Sequence, residues 1–212
     1  LRFDGQKLLL DPYARAIAVP AGYDRRAALR PGDNSEVAMR SVVADLSLFD
    51  WEGDQPPRHP FSRTAIYELH VRQFTRHPSS GLPESRRGTF AGLVEKIPYL
   101  QELGVTAVEL LPVFQFDAQD CPPGRTNYWG YAPVSFFAPH AGYSSRTDPL
   151  GPLDEFRDLV KALHRADIEA ILDATPPERQ TALFAATMPP RIAAIAQRHL
   201  REPVRVTIER EK

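Results

Sequence analysis

The sequence predicts an α/β fold built on parallel strands, and three features in succession predict it. The alternating stretch "TAIYELHVRQFT" is followed by a helix-periodic one, "TFAGLVEKIPYLQELG", and then at once by the apolar run "VTAVELLPVF". Their short joints make a strand–helix–strand unit, whose two strands lie parallel and whose sites form beyond the strands' C-terminal ends.

Taken in order, residues 1–60 are rich in Pro, Asp and Arg, with short apolar runs and no sustained period. They read as an extended linker to the main domain, with one or two short strands at most. Pro56, Pro57 and Pro60 then mark a boundary, because proline blocks helix and biases its neighbour to extended backbone. Residues 64–73 alternate and carry β-branched and aromatic side chains, which predicts a strand. Phe90, Leu93, Ile97, Leu100 and Leu103 recur at helical spacing up to Gly104, and residues 105–113 form the second strand. Residues 114–151 read as a long loop, a length usually reserved for function. A further helix is predicted from Pro152, with Phe156, Leu159, Val160 and Leu163 on one face.

The stretch "ADIEAILDATPPERQTALFAATMPP", residues 166–190, admits two readings. Residues 168–173 are either a short strand ending at Asp173 or the last turns of the helix that begins at Pro152. Beyond it, residues 181–186 and 203–208 read as strands with a helix between them.

Composition is that of a soluble globular protein with formal charge −1, distributed unevenly. Residues 174–212 hold seven Arg/Lys against four Glu and residues 1–173 hold nineteen against twenty-three acids, so the tail is +3 and the rest −4. A solvated helix face accounts for such a tail as well as nucleic-acid contact does, since no aromatics interleave with its arginines. One cysteine, Cys121, excludes an intrachain disulfide and multi-cysteine metal sites. No apolar run is long enough for a membrane span, and the start lacks the regions of a secretory signal, so a cytoplasmic location is expected. A start at Leu1 rather than Met suggests that a segment upstream is missing.

Within the long loop, Tyr128, Trp129 and Tyr131 cluster in "NYWGY". A sugar ring offers an apolar C–H face and a rim of hydroxyls, so aromatic platforms flanked by amides and carboxylates suit it. The plainer alternative, packing of the loop onto its scaffold, is favoured for Trp129 and disfavoured for Tyr131. Glu68 and His70 in the first strand read as structural hydrogen-bonding groups. His140 and His164 have no second ligand at metal spacing, and Asp117 and Asp120 read as solvated acids rather than a cation site.

The runs "LLLDPYARAI", "YELHVRQFT", "GTFAGLVEKIPYLQELGVTAVELLPVFQFD", "NYWGYAPVSFFAPHAGYSS" and "DPLGPLDEFRDLVKALHRA", in that order over residues 1–166, resemble the α-amylase superfamily, glycoside hydrolase family 13, and within it the glycogen-debranching and isoamylase-like enzymes. The resemblance implies a (β/α)8 TIM barrel preceded by a carbohydrate-binding β-domain, and a retaining hydrolase of α-glucans. It makes Tyr131 the residue that stacks on the glucose at the cleavage point, with Trp129, Tyr128 and Asp173 beside it as substrate-binding residues. Retention of configuration needs two opposed carboxyl groups. In the family these come from later barrel strands, which have no counterpart here. The third strand should close with a D-V-V-F-N-H motif, yet Asp173 is followed by "ATPPER".

Residues 167–212 resemble instead the end of the first RecA-like domain of DEAD-box RNA helicases, with Ala185, Ala186 and Thr187 at the Ser-Ala-Thr motif. The phosphate-binding loop and the Asp-Glu-Ala-Asp motif are absent from the sequence, which leaves nothing to hold a triphosphate. At the junction, Asp167 stands where the hydrolase family has a glycine, so the residue type suited to ending the helix is gone and nothing forces a break before Pro176. On that ground one long helix is favoured over a strand at 168–173.

The expectation is therefore a chimera: a linker over 1–60, the first strands of a partial barrel over 61–173, and a RecA-like strand–helix–strand piece over 174–212. It is expected to lack turnover by itself, to need no cofactor or metal, to bind α-glucan weakly, to have at most residual RNA contact and none with membranes, and to self-associate through unpaired sheet edges.

Overall fold

The computed structural model describes residues 4–171. The chain divides into two compact units, Leu1–Leu172 and Asp173–Lys212. Asp173, the strands expected at 181–186 and 203–208 and the whole RecA-like piece lie outside the described residues.

Three parallel strands form the centre of the first unit: β3 (Ile66–Leu69), β4 (Ala107–Leu110) and β7 (Glu169–Ile171), in the order β3-β4-β7. Tyr67 registers with Val108, and Val108 with Ala170. These side chains share the face that packs on α3 (Phe90–Val94), α4 (Ile97–Glu102) and α5 (Gly151–Arg165), around buried Phe90, Leu93, Leu100, Leu159 and Leu163. Such a layer of helices on one face of successive parallel strands is the start of a β/α barrel wall.

Two expected elements are shorter than the sequence suggests. The strand read at 64–73 ends at Leu69, and Val71–Arg76 is a helix, α2, capped by His70, whose Nδ1 accepts from the Gln73 N–H at 3.3 Å. The cap supplies an acceptor to one of the first-turn amides that helix formation leaves unpaired. The helix read from Phe90 to Leu103 is broken between Val94 and Ile97, because Pro98 has no N–H to donate back to Val94 and its ring crowds that carbonyl.

The junction at residue 167 corrects the long-helix reading. α5 ends at Arg165, Asp167 takes φ +61°, and the chain returns as β7 beside β4. The Ile168 amide bonds the Leu163 carbonyl and the Asp167 amide the His164 carbonyl, both at 2.9 Å. Those two bonds are a Schellman C-cap with Asp in the left-handed position that glycine normally fills, and buried Leu163 and Ile168 make its hydrophobic contact. His59 Nε2 lies 2.8 Å from the Asp167 carbonyl oxygen and holds the turn from outside.

The stretch 114–151 is not a plain loop. β5 (Phe114–Phe116) and β6 (Pro133–Pro139) pair antiparallel, and only the residues between them are irregular. Residues 1–60, read as a linker, contain two short antiparallel strands, β1 (Ala16–Ala18) and β2 (Arg40–Val42), and a single helical turn, α1 (Arg26–Leu29). They lie against β6 through Ala14, Ile17, Met39 and Ala138. Residues 50–54 are pinned to α5 by Lys161 and Arg165 on Glu52 and by His164 Nδ1 on Asp54 at 2.7 Å.

Glu155, buried on α5, ties three elements: it accepts from the Ala91 amide at 2.8 Å in the first turn of α3 and from Ser144 and Ser145. A carboxylate at a helix N-terminus is favoured by the helix dipole as well as by its hydrogen bonds. His140, at the end of β6, stacks on Phe116 at 3.9 Å with its Nδ1 buried and without a partner among the described residues. Burial, with lesser contributions from Arg72 and His70, lowers its pKa to about 4.

Two outcomes follow. If Asp167 occupies the left-handed position, Asp167→Gly raises unfolding stability by about 1 kcal/mol, whereas inside a continuous helix the same change lowers it by roughly 0.3 kcal/mol; urea denaturation decides the sign. For His140 the folded pKa lies below the unfolded one, so the unfolded chain binds the extra proton and stability falls as pH drops from 6.5 toward 4. Denaturation at pH 6.5 and 4.5 should show His140→Gln losing about 2 kcal/mol less than the parent over this interval.

Candidate functional site

The parallel strands β3 and β4 end at Leu69 and Leu110, and the sequence beyond each end builds the candidate site. His70 follows β3 directly. With its Nδ1 accepting from Gln73, Nε2 carries the hydrogen and faces the Tyr128 carbonyl at 3.1 Å and the Tyr143 hydroxyl at 3.2 Å. The Tyr128 ring stacks on the imidazole at 4.7 Å, 8° from parallel, and its hydroxyl donates to Gln73 Oε1 at 2.5 Å. Trp129 meets both rings edge-on, at 5.8 Å from each. Tyr143 lies beneath, buried against Phe90 and Phe116, and burial pushes its hydroxyl pKa upward, with the nearby Tyr128 adding to the shift. It is a neutral donor and acceptor at any physiological pH.

The loop between β5 and β6 presents these rings because it is fastened at both ends. At its start, Asn127 donates from Nδ2 to the Asp117 carbonyl at 3.2 Å and from its backbone to that of Ala118 at 3.0 Å. At its end, Gly130 has φ +76°, and a Cβ there would come within 2.7 Å of Phe116 Cδ1. Only glycine allows that approach. Trp129 and Tyr131 flank it and keep 56% and 70% of their surface exposed.

The structure thus brings Tyr128, Trp129 and Tyr131 to one loop and divides their duties. Tyr128 is a packing residue, stacked and hydrogen-bonded. Trp129 packs on one edge and remains open on the rest. Tyr131 has no aromatic partner among the described residues. His70 does the structural hydrogen bonding expected of it. Glu68 does not: it is exposed and has no hydrogen-bond partner among the described residues, because it points to the sheet face opposite the helices. Glu109 is its register partner on β4. The two residues are register partners on neighbouring strands and so belong to one face of the sheet, whereas retaining hydrolysis requires carboxyl groups on opposite sides of the scissile bond.

Asp117 corrects a second expectation. It is fully buried rather than solvated, and accepts from the Tyr23 hydroxyl and Arg25 Nη1, each at 2.6 Å, and from the Gln119 amide at 2.8 Å. Arg25 also pairs with Asp120 at 2.9 Å. Burial and the neighbouring carboxylate both raise the pKa of Tyr23, so its hydroxyl stays a donor. Tyr23, Arg25, Gly130 and Tyr143 were missed by sequence reasoning. A glycine between two aromatics was the one available signal. No group of three or more His, Cys, Asp or Glu among the described residues is arranged to hold a metal ion.

Comparison with known proteins bears on what this loop is for. Residues 51–178 match the family model described as the α-amylase catalytic domain. The match runs past Asp167, where the helicase-like letters begin. A glycogen debranching enzyme of Salmonella paratyphi B is 46% identical over 187 residues, which is 81% of this chain and 27% of the relative. The product complex of SpuA, a multi-modular glycogen-degrading pneumococcal virulence factor, superposes with TM-score 0.62 at 32% identity, over 78% of this chain and 18% of that one. The Group B Streptococcus pullulanase SAP in complex with maltotetraose gives TM-score 0.60 at 29% identity, over 77% and 22%. The chain therefore spans about a quarter of the length of the curated relative, and its three parallel strands are a fragment of a TIM-barrel glycoside hydrolase. A family match over more than half of the residues leaves one conclusion: the chain belongs to the α-amylase catalytic-domain family.

Proposed function

We propose that this chain is the substrate-contact portion of a glycogen-debranching or pullulanase-type hydrolase, and that it holds α-glucan weakly without cleaving it. One observation carries the reading: Tyr131, 70% exposed and without an aromatic partner among the described residues, is displayed on a loop whose neighbouring rings are locked by His70 and Gly130. An aromatic platform fixed before binding costs little entropy when a sugar face settles on it. Trp129, open on the side away from His70, extends the platform, and Tyr128 supports it from below. Asp173 lies outside the described residues and enters only by resemblance.

The carboxylates of the described residues support the reading of no turnover. Cleavage with retention needs a nucleophile and an acid/base about 5 Å apart across the scissile bond. Glu68 and Glu109 share one face of one sheet, and the buried acids Asp117 and Glu155 are committed to internal hydrogen bonds. Completion by a partner chain would be needed for chemistry.

The outer edges of β3 and β7 are unpaired among the described residues, and Ile66 is half exposed on the uncovered sheet face. Open edges pair readily with other chains, so self-association accompanies this reading. A cytoplasmic location fits the free Cys121. RNA contact through the +3 tail is the weaker reading. It rests on charge and on the helicase-like letters of residues 167–212, and the hydrolase likeness already reaches residue 178.

Native electrophoresis through gels containing glycogen tests the proposal. The parent chain should be retarded, Tyr131→Ala should bind about tenfold more weakly, and Phe136→Ala, which removes another exposed aromatic, should behave as the parent. No reducing sugar should appear. Unretarded parent chain, full retardation of Tyr131→Ala, or release of reducing sugar by the chain alone would each overturn it.

A further inference from the structure

We propose that Arg25 is a positioning residue for the glucan-contact loop, acting through Asp117 from ninety-two residues away. This rests on the glucan reading of Tyr131 for its purpose, but the positioning itself is a separate claim.

The argument starts at the buried carboxylate. Asp117 is the first residue after β5, and its own backbone carbonyl is one of the groups to which Asn127 fastens the loop. Asn127 Oδ1 in turn accepts from the Gly130 amide at 3.4 Å. A chain of hydrogen bonds therefore runs from Asp117 through Asn127 to Gly130, and Trp129 and Tyr131 are the neighbours of that last residue. Whatever fixes Asp117 fixes them.

A carboxylate without solvent is tolerated only when its charge and lone pairs are matched. Gln119 and Tyr23 supply hydrogen bonds, but among the described residues Arg25 alone supplies a positive charge, and its guanidinium spans Asp117 and Asp120 so that both sides of the loop's first turn are gripped at once. Gln119 completes the clamp, its Nε2 donating to the Tyr23 carbonyl at 2.8 Å and its Oε1 accepting from the Arg25 amide at 2.9 Å. Among the described residues none of these side chains shares a hydrogen bond or ion pair with Tyr131, and the role assigned to Arg25 is positioning. Removal of Arg25 leaves the buried Asp117 carboxyl without its cationic partner, and the group regains solvent only by swinging outward and taking the loop start with it.

Trp51→Phe leaves Trp129 as the single tryptophan and makes it a reporter. In that background Arg25→Gln should raise quenching of Trp129 by acrylamide at least about twofold and weaken glycogen retention about five- to tenfold, with far-UV circular dichroism unchanged. Arg25→Lys, which restores the charge without the fork, should recover part of both. Leu100→Ala, a core truncation remote from the loop, should lower the melting temperature without moving the quenching. Where Arg25→Gln fails to fold, Tyr23→Phe decides, with a smaller rise in quenching expected. Unchanged quenching in folded Arg25→Gln or in Tyr23→Phe, or an equal rise in Leu100→Ala, overturns the proposal. A rise in quenching in Arg25→Gln, together with a parent that never binds glycogen, upholds the positioning and sinks the glucan reading.

Discussion

The turn at Asp167 is the constraint on which the rest of this structure depends. A left-handed residue there stops α5 after Arg165, satisfies its last carbonyls and sends Glu169 to Ile171 alongside β4. Without it the apolar letters after Ala166 would extend the helix, β4 would lose one neighbour, and Ile168 would leave the core it shares with Leu163. The cost of holding an aspartate at positive φ is of the order of 1 kcal/mol, and two backbone hydrogen bonds, the buried Leu163–Ile168 contact and the external hold of His59 offset it.

With the strands in place, the site becomes a problem of displaying aromatic surface without letting it collapse. Exposed rings on a free loop would bury themselves against the nearest apolar surface. Here the collapse is already complete on one side: Tyr128 lies flat on His70, and Gly130 lies on Phe116 at a distance that excludes a side chain. What remains for solvent is the open side of Trp129 and most of Tyr131. The N-terminal segment contributes as much to this as the barrel strands do, since Tyr23 and Arg25 close over the loop's first residue.

Much of the frame was legible because periodicity and punctuation agreed. β4 and α5 follow from an apolar run after Gly104 and a helical stripe after Pro152. The first strand was read too long because Val71 continues the alternation of Tyr67 and Leu69, and nothing in spacing alone reveals that the His70 ring captures the Gln73 amide and starts a helix. Pro98 was visible in the sequence, but helical spacing on both of its sides concealed the break. β6 was hidden by prolines at both its ends, Pro133 and Pro139. At residue 167 the absence of glycine was the misleading cue: aspartate accepts the left-handed conformation more easily than most residues, and tertiary contacts supplied the remainder. The aromatic trio was recognisable from its composition and its resemblance, whereas the Arg25–Asp117 pair was not, because no local pattern links residues so far apart in sequence.

Chemical shifts of the Cα and Cβ nuclei from Asp167 to Ile171 test the central claim most directly. The account predicts a left-handed signature at Asp167 followed by strand-type shifts at Glu169, Ala170 and Ile171, with a nuclear Overhauser contact between Ala170 and Val108, its register partner. Helix-type shifts continuing from Arg165 through Ile171 would contradict it, and with it the order β3-β4-β7 of the parallel sheet.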